Sequence, residues 1–388
     1  MNNERVVELL RDLIAIPSVN PVYDPASPGE GGMAACVEAW ATGLGLPVER
    51  QNVFPGRDNI LVRLAGPEGA PILLFEAHMD TVGVEGMSAP FAPEVRDDRV
   101  YGRGACDTKG SLAAMMAAVE RLVSDGAALA CTVELLAAVD EETSGKGALA
   151  FVKQNPPADA AIIGEPTDCR VVNRHNGCVR GEIDVIGRSA HTSVAHEGVN
   201  AIDRMADVIV ALRVVNRDLA TRPGGPAANG SLTVSLISGG TGINVVPERC
   251  VLSYDRRIVP GQTTRQALAE IDAALDAVRE ACPDLRIERH APWLEGDTLS
   301  TPPESDIVLL ASAASEALGL PGAPAWVPYG SDASKFQEGG VPAVVFGPGS
   351  IAQAHAIDEY VPISDLVTAA AFYRTVALQF GSGETRRR

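Results

Sequence analysis

The order of apolar periodicities predicts an α/β protein in which a ferredoxin-like βαββαβ module is inserted into a larger α/β domain. Three observations lead there. Short apolar strands alternate with helical segments up to about residue 177, a self-contained strand-helix-strand-strand-helix-strand pattern follows, and the α/β alternation then resumes to the C-terminus. Residues 4–16 carry apolar side chains at helical spacing and stop before Pro17. Runs 59–64 and 71–76 read as strands, the Ala- and Met-rich run 111–124 as a buried helix, and 132–139 and 160–163 as further short strands. In the insert, 179–186 alternates as a strand, 200–214 is a helix, 231–238 and 249–258 are strands, 264–281 is a helix and 285–290 a last strand. A loop is expected at 224–226. The larger domain resumes with a helix at 305–318, a strand at 343–346 and a helix at 363–380, leaving 381–388 as a frayed tail. The resulting organisation is 1–177 and 292–388 for the larger domain and 178–291 for the insert. A chain of 388 residues exceeds what one compact core usually holds.

Composition narrows the function. The formal net charge of −18 opposes binding to nucleic acid or to an anionic membrane, both of which need a basic surface. No apolar run is long enough to span a bilayer. The N-terminus reads as an amphipathic helix with early acidic residues, which disfavours a signal peptide. Seven cysteines, an odd number without a Cys-x-x-Cys pair, read as buried small side chains in a reducing cytoplasm.

The residues suited to chemistry fall just past strand ends, where open α/β sheets place their sites. His78-Met79-Asp80 follows the apolar run 72–75, and an aspartate two residues on can accept the imidazole N–H and fix which nitrogen faces a metal. Asp107 lies in the Gly-rich run 102–110 immediately before a helix, in a pattern that matches neither phosphate-loop fingerprint. Asp140-Glu141-Glu142 follows the strand 132–139, and adjacent carboxylates at a strand end repel one another unless a cation or proton intervenes. Glu165 follows the strand 160–163, and His355 follows 343–346. Taken singly, each has an ordinary structural explanation: a hydrogen-bonded histidine, a helix cap, a solvated acidic turn. Taken together, imidazoles and carboxylates without cysteine suit a catalytic Zn²⁺, Co²⁺ or Mn²⁺ site, and two ions sharing a carboxylate would form a hydrolytic clamp.

Seven segments carry a resemblance that spans essentially the whole chain. They are Glu76-Ala77-His78-Met79-Asp80-Thr81-Val82, 102–110, Asp140-Glu141-Glu142, Gly164-Glu165-Pro166-Thr167, Gly187-Arg188-Ser189-Ala190-His191-Thr192-Ser193, 239–247 and 352–361. In this order they resemble the family of acetylornithine deacetylases, succinyl-diaminopimelate desuccinylases, aminoacylases and glutamate carboxypeptidases. The resemblance implies a metal-binding catalytic domain with the insert as a lid and dimerisation domain. It also implies two divalent ions, zinc first, with cobalt or manganese as alternatives. Asp107 matches the bridging ligand, His78 and Glu165 the ligands of one ion, and Glu142 and His355 those of the other. Asp80 matches the residue that orients the first histidine, and Glu141 the general base. His191 matches a lid histidine that reaches a neighbouring subunit's site, and Asn244 and Arg257 match polar lid positions that meet the substrate. His175, His196 and His290 are read as structural or surface residues. The family usually has Lys before Gly177, where this chain has Asn176. The implied reaction is hydrolysis of an amide bond in an N-acyl amino acid, acetylornithine deacetylase-like, in a cytoplasmic homodimer. Desuccinylase-like or dipeptidase/carboxypeptidase activity is the alternative, and a non-catalytic binding protein on this fold is the reading from a different class.

Overall fold

The computed structural model describes residues 3–154, 158–224, 228–282 and 285–382. Most of the expected loop at 224–226 and of the tail at 381–388 lies outside them. In chain order the elements that frame the site are α1 (Asn3–Ile14), α2 (Gly31–Gly43), β1 (Val48–Phe54), β2 (Arg57–Leu64), β3 (Ile72–His78), α3 (Lys109–Ser124), β4 (Thr132–Ala138), α4 (Lys146–Gln154), β5 (Ala160–Ile163) and β6 (Val172–His175). The insert supplies β7 (Gly177–Ile186), α5 (Ala201–Thr221), β8 (Ser231–Gly239), β9 (Arg249–Ile258), α6 (Thr264–Ala281) and β10 (Arg286–Arg289). The chain closes with α7 (Asp306–Ala317), α8 (Ala333–Glu338), β11 (Ala343–Val345) and α9 (Ile363–Gln379). Two compact units result: Met1–Arg174 with Thr301–Val327 and Ser331–Arg388, and His175–Ser300 with Pro328–Gly330. The second unit runs beyond the expected 178–291 because Leu294–Gly296 pairs with β7 at Arg180, Val179 and Cys178.

In the first unit the large sheet has the order β1-β2-β4-β3-β5-β11-β6. Strand β3 is parallel to β4 and to β5, and β5 is parallel to β11. These four strands therefore end at one edge of the sheet, and every metal-ligand candidate except Asp107 follows one of them or closes it. Burial on both faces explains their apolar sequences: Leu73, Leu74, Phe75 and Ala77 of β3 are all fully buried. Helix α3 is buried along nearly its whole length because it packs against β3, α1 and α9. Its alanines at 113, 114, 117 and 118 permit that close approach. At the end of β11, Phe346 stacks on Phe372 at 3.6 Å, and the Tyr373 hydroxyl donates to the Phe346 carbonyl at 2.6 Å. The segment leading to His355 thus leaves from a fixed point.

The second unit is an antiparallel sheet, β8-β9-β7-β10, with α5 and α6 supplying its own core. Burial alternates along β9, where Cys250, Leu252, Tyr254, Arg256 and Ile258 are the buried residues. Asn200 caps α5 by accepting from the Ile202 and Asp203 N–H groups, and Thr263 and Gln266 form a capping box on α6. Helix α5 continues past the expected end at 214 to Thr221, because Met205, Val208, Leu212 and Leu219 keep one buried stripe until the chain meets Pro223. Leu275 is fully buried in this core. Leu275→Ala is expected to lower the stability of the inserted unit by about 2–5 kcal/mol, measured by denaturant unfolding followed on that unit.

Among the described residues no helix is long and apolar enough to cross a membrane.

Candidate metal centre

The large sheet brings His78, Asp107, Glu142, Glu165 and His355 together as two triples that share one residue. Ligand atoms of His78, Asp107 and Glu165 lie within 4.8 Å of one another, and so do those of Asp107, Glu142 and His355. Asp107 divides its oxygens between them: Oδ1 lies 3.1 Å from His78 Nε2, and Oδ2 lies 3.3 Å from His355 Nε2. His355 Nε2 is also 3.1 Å from Glu142 Oε2, and His78 Nε2 is 3.9 Å from Glu165 Oε1.

The backbone explains this convergence. His78 is the last residue of β3, and Glu165 stands two residues past β5. Gly164 brings Glu165 close to α3, since a Cβ there would meet that of Ser111 at 2.6 Å. A Cβ on Gly347 would lie 2.4 Å from the Glu165 carbonyl oxygen, so only glycine lets the loop after β11 pass so near. His355 itself adopts a left-handed backbone at φ 65°, which turns its side chain out of the chain direction.

His78 Nδ1 lies 3.0 Å from the Asp80 carbonyl and 3.5 Å from the Asp80 carboxylate. With Nδ1–H donating to that carbonyl, Nε2 is the ring nitrogen that faces Asp107 and the one that would ligate an ion. The Asp80 carboxylate does a second job, accepting from the Glu141 and Glu142 N–H groups at 3.1 and 3.2 Å. It thereby fixes the acidic loop against the first histidine. Burial pushes the Asp80 carboxyl upward, but its bonds to His78, Asn20 and the Glu142 N–H outweigh this and hold it below its ordinary value.

The three adjacent acids have separate fates. Asp140 turns away from the triples to Thr143, Ser144, Asn20 and Arg57. Glu142 joins the second triple. Glu141 belongs to neither, though its Oε2 is 3.9 Å from His78 Nε2. Burial pushes the carboxyls of Glu141 and Glu165 well above the ordinary range, and neighbouring carboxylates add to it. Burial and Asp107 likewise raise Glu142 to about 7. Hydrogen bonds to Asp107 and Glu142 raise His355 to about 10. The site therefore gathers more buried carboxylate than its histidines can balance, a charge pattern that favours a bound cation. Glu142 Oε1 is buried and has no hydrogen-bond partner among the described residues. The Cys106 thiol, next to Asp107, is committed to the Ser350 carbonyl at 3.3 Å, so the donor set is imidazole nitrogen and carboxylate oxygen. Such a set fits divalent ions of the zinc type at catalytic rather than structural sites.

The other expected site residues lie in the inserted unit and belong to neither triple. His191 is exposed, and its Nδ1 accepts from the Ser193 N–H at 3.2 Å. In the neutral ring the proton then sits on Nε2, which makes that atom a donor. Asn244 is exposed, and its carbonyl accepts from the Thr192 N–H at 3.1 Å. Arg257 Nε pairs with Asp255 at 2.8 Å. Asn176, where the resemblance expects Lys, is buried, and its carbonyl accepts from His175 Nδ1 at 2.9 Å. Sequence reasoning missed Asn20, whose amide donates to Asp80 at 2.8 Å and to Asp140 at 3.1 Å. It also missed Glu30, which accepts from the Asp140 N–H and pairs with Arg57.

The model of peptidase family M20/M25/M40 matches residues 74–379. The chain belongs to that family. It is 32% identical over 377 residues to the acetylornithine deacetylases of Salmonella heidelberg and Salmonella typhimurium, covering 93% of this chain and 96% of each relative. Its fold is similar to that of a tripeptidase from Staphylococcus aureus, with a TM-score of 0.81, 20% identity, and 97% and 98% of the two chains covered. It is also similar to a dinuclear metal binding M20 peptidase from Bacillus subtilis, with a TM-score of 0.73, 18% identity, and 97% of each chain covered. The chain is accordingly a hydrolase of the metal-dependent kind that acts on amide bonds, and a purely non-catalytic role on this fold is set aside.

Proposed function

We propose that this member of the family hydrolyses the amide bond of an N-acyl amino acid, with acetylornithine-type substrates favoured. The observation that carries the reading is the pair of ligand triples sharing Asp107, with Glu141 3.9 Å from His78 and part of neither triple. The 32% identity to acetylornithine deacetylases supports the acyl class. In this reading His78, Asp107 and Glu165 hold one divalent ion, and Asp107, Glu142 and His355 hold the other. Zinc is favoured, with cobalt or manganese as alternatives. Such an ion pair, when bound, supplies a water of lowered pKa and polarises the scissile carbonyl.

The remaining work falls to the chain. Asp80 keeps His78 and the acidic loop in register. Glu141 takes the proton of the attacking water and returns it to the departing amine. His191 donates from Nε2 to the oxyanion that develops on the carbonyl oxygen. Arg257 and Asn244 hold the substrate's carboxylate and polar groups. The second reading is a desuccinylase or dipeptidase, which the same set of ligand residues would serve. The seven cysteines, all free, support a cytoplasmic location.

A screen of N-acetyl amino acids, N-succinyl amino acids and dipeptides, read by released amine, tests the function. Turnover of N-acetylornithine well above the other classes is expected, and preference for a dipeptide or succinyl compound would replace the first reading with the second. The ligand assignment has its own test. Elemental analysis of the wild type should give two divalent ions per chain. Asp107→Asn should lose both, while Glu165→Gln and His355→Ala should each lose mainly one. Full loading of Asp107→Asn would show that Asp107 is not shared.

A further inference from the structure

One buried carboxylate outside the ligand triples holds the loop that presents Asp107. Glu359 is 1% exposed and lies four residues after His355. Its Oε1 accepts from the Cys106 N–H at 2.8 Å and the Asp107 N–H at 3.0 Å. Its Oε2 accepts from the Gly104 N–H at 3.2 Å and from Arg103 Nη1 at 2.6 Å. The Glu359 carbonyl in turn accepts from the Gly102 N–H at 3.1 Å. Few backbone groups of the 102–107 turn find partners within the turn itself, so this carboxylate stands where a regular element would otherwise supply them.

Arg103 extends the link. It is 3% exposed, donates from Nε to the Gly83 carbonyl at 3.0 Å, and donates from Nη1 to the Ala356 carbonyl at 3.2 Å. Three segments that carry site residues meet at this pair: the turn after His78, the turn before Asp107, and the segment of His355. Replacing the carboxylate would leave buried N–H groups without an acceptor and a buried guanidinium without its counter-charge, a loss that falls directly on the backbone of the shared residue.

We infer that Glu359, with Arg103, is a positioning residue for the metal centre, setting the place of Asp107 between the two triples and tying it to the His78 and His355 segments. This rests on the ligand assignment proposed above. Partners that orient ligands typically contribute ~10–100-fold to metal affinity. Because Asp107 is common to both triples, the effect should reach both ions together.

The test is Zn²⁺ affinity measured by chelator competition, alongside melting of the metal-free protein. Wild type, Glu359→Gln and a core control in the same unit, Ile307→Ala, are compared; Ile307 is 1% exposed and lies beside Pro71 and Ala160, at the strand starts rather than the strand ends that carry the ligands. Glu359→Gln is expected to bind both equivalents of Zn²⁺ about 10–100-fold more weakly. Ile307→Ala is expected to lower the metal-free melting temperature while binding Zn²⁺ as the wild type does. Wild-type affinity in Glu359→Gln overturns the inference, as does a loss of affinity in Ile307→Ala that matches that of Glu359→Gln. Should Glu359→Gln not fold, Arg103→Lys keeps the buried cation but loses its reach to Gly83. It is expected to weaken Zn²⁺ several-fold, and wild-type affinity there overturns the inference. A wild type that binds no Zn²⁺ would instead overturn the ligand assignment itself.

Discussion

Glu141→Ala is expected to retain both divalent ions and to lose about 10²–10⁴-fold in turnover, the usual contribution of a positioned general acid–base. The expectation follows from the division of labour within Asp140-Glu141-Glu142. Asp140 is committed to hydroxyls, Asn20 and Arg57, Glu142 is committed to the triple with His355, and only Glu141 stands close without belonging to either triple. Its backbone N–H is fixed by Asp80 at 3.1 Å, so the side chain starts from an anchored position. Removing it should therefore leave the ligands where they are. Elemental analysis and steady-state kinetics on the same preparation check this. Loss of an ion on mutation would make Glu141 a ligand, and normal turnover with both ions bound would move the proton-transfer role to another group.

Much of this arrangement was legible before any coordinates. The apolar runs ending at His78, Asp140, Glu165 and near His355 are short because they are central strands, and chemistry just past their ends is what a parallel sheet favours. What stayed hidden depends on distances in space that have no local signature. Asn20 is 60 residues from the Asp80 it steadies, and nothing in its neighbourhood marks it. Glu359 lies in the 352–361 segment, but its role is visible only when the 102–107 turn folds back on it. Asp80 was expected to orient His78 through its carboxylate. Its carbonyl is the nearer acceptor, because the carboxylate is drawn to the N–H groups of Glu141 and Glu142. The adjacent arginines 256 and 257 are separated by strand alternation. Arg256 faces the helices, fully buried and paired with Glu270 at 2.8 Å, whereas Arg257 lies on the other face with Asp255. That alternation puts Arg256 in the core and leaves Arg257 36% exposed beside Asp255.

Mixing two inactive variants, Glu141→Ala and His191→Ala, is expected to restore about a quarter of wild-type activity if His191 serves the partner's site in a symmetric homodimer. Several features of the inserted unit motivate the proposal. Strand β8 is at the edge of its sheet and leaves Leu236 and Ile237 exposed at 68% and 55%. Helix α5, tied to β8 where Asn216 accepts from the Leu232 N–H at 2.9 Å, exposes Ile202, Val210 and Val214. An apolar edge with unpaired backbone groups is a surface that soluble proteins cover, and a second copy pairing strand to strand would do so. His191, in the same unit, keeps Nε2 as a donor and belongs to neither triple of ligands. In a mixed dimer one site collects both substitutions and the other receives both native residues. With random exchange half the dimers are mixed and half of their sites are intact, which sets the expected quarter. Sedimentation or native mass spectrometry must first show that mixed dimers form. If they form and remain inactive, His191 acts within its own chain or outside the reaction. If the chain is monomeric while fully active, the pairing through β8 and α5 is wrong, and the donor to the oxyanion must come from the same chain.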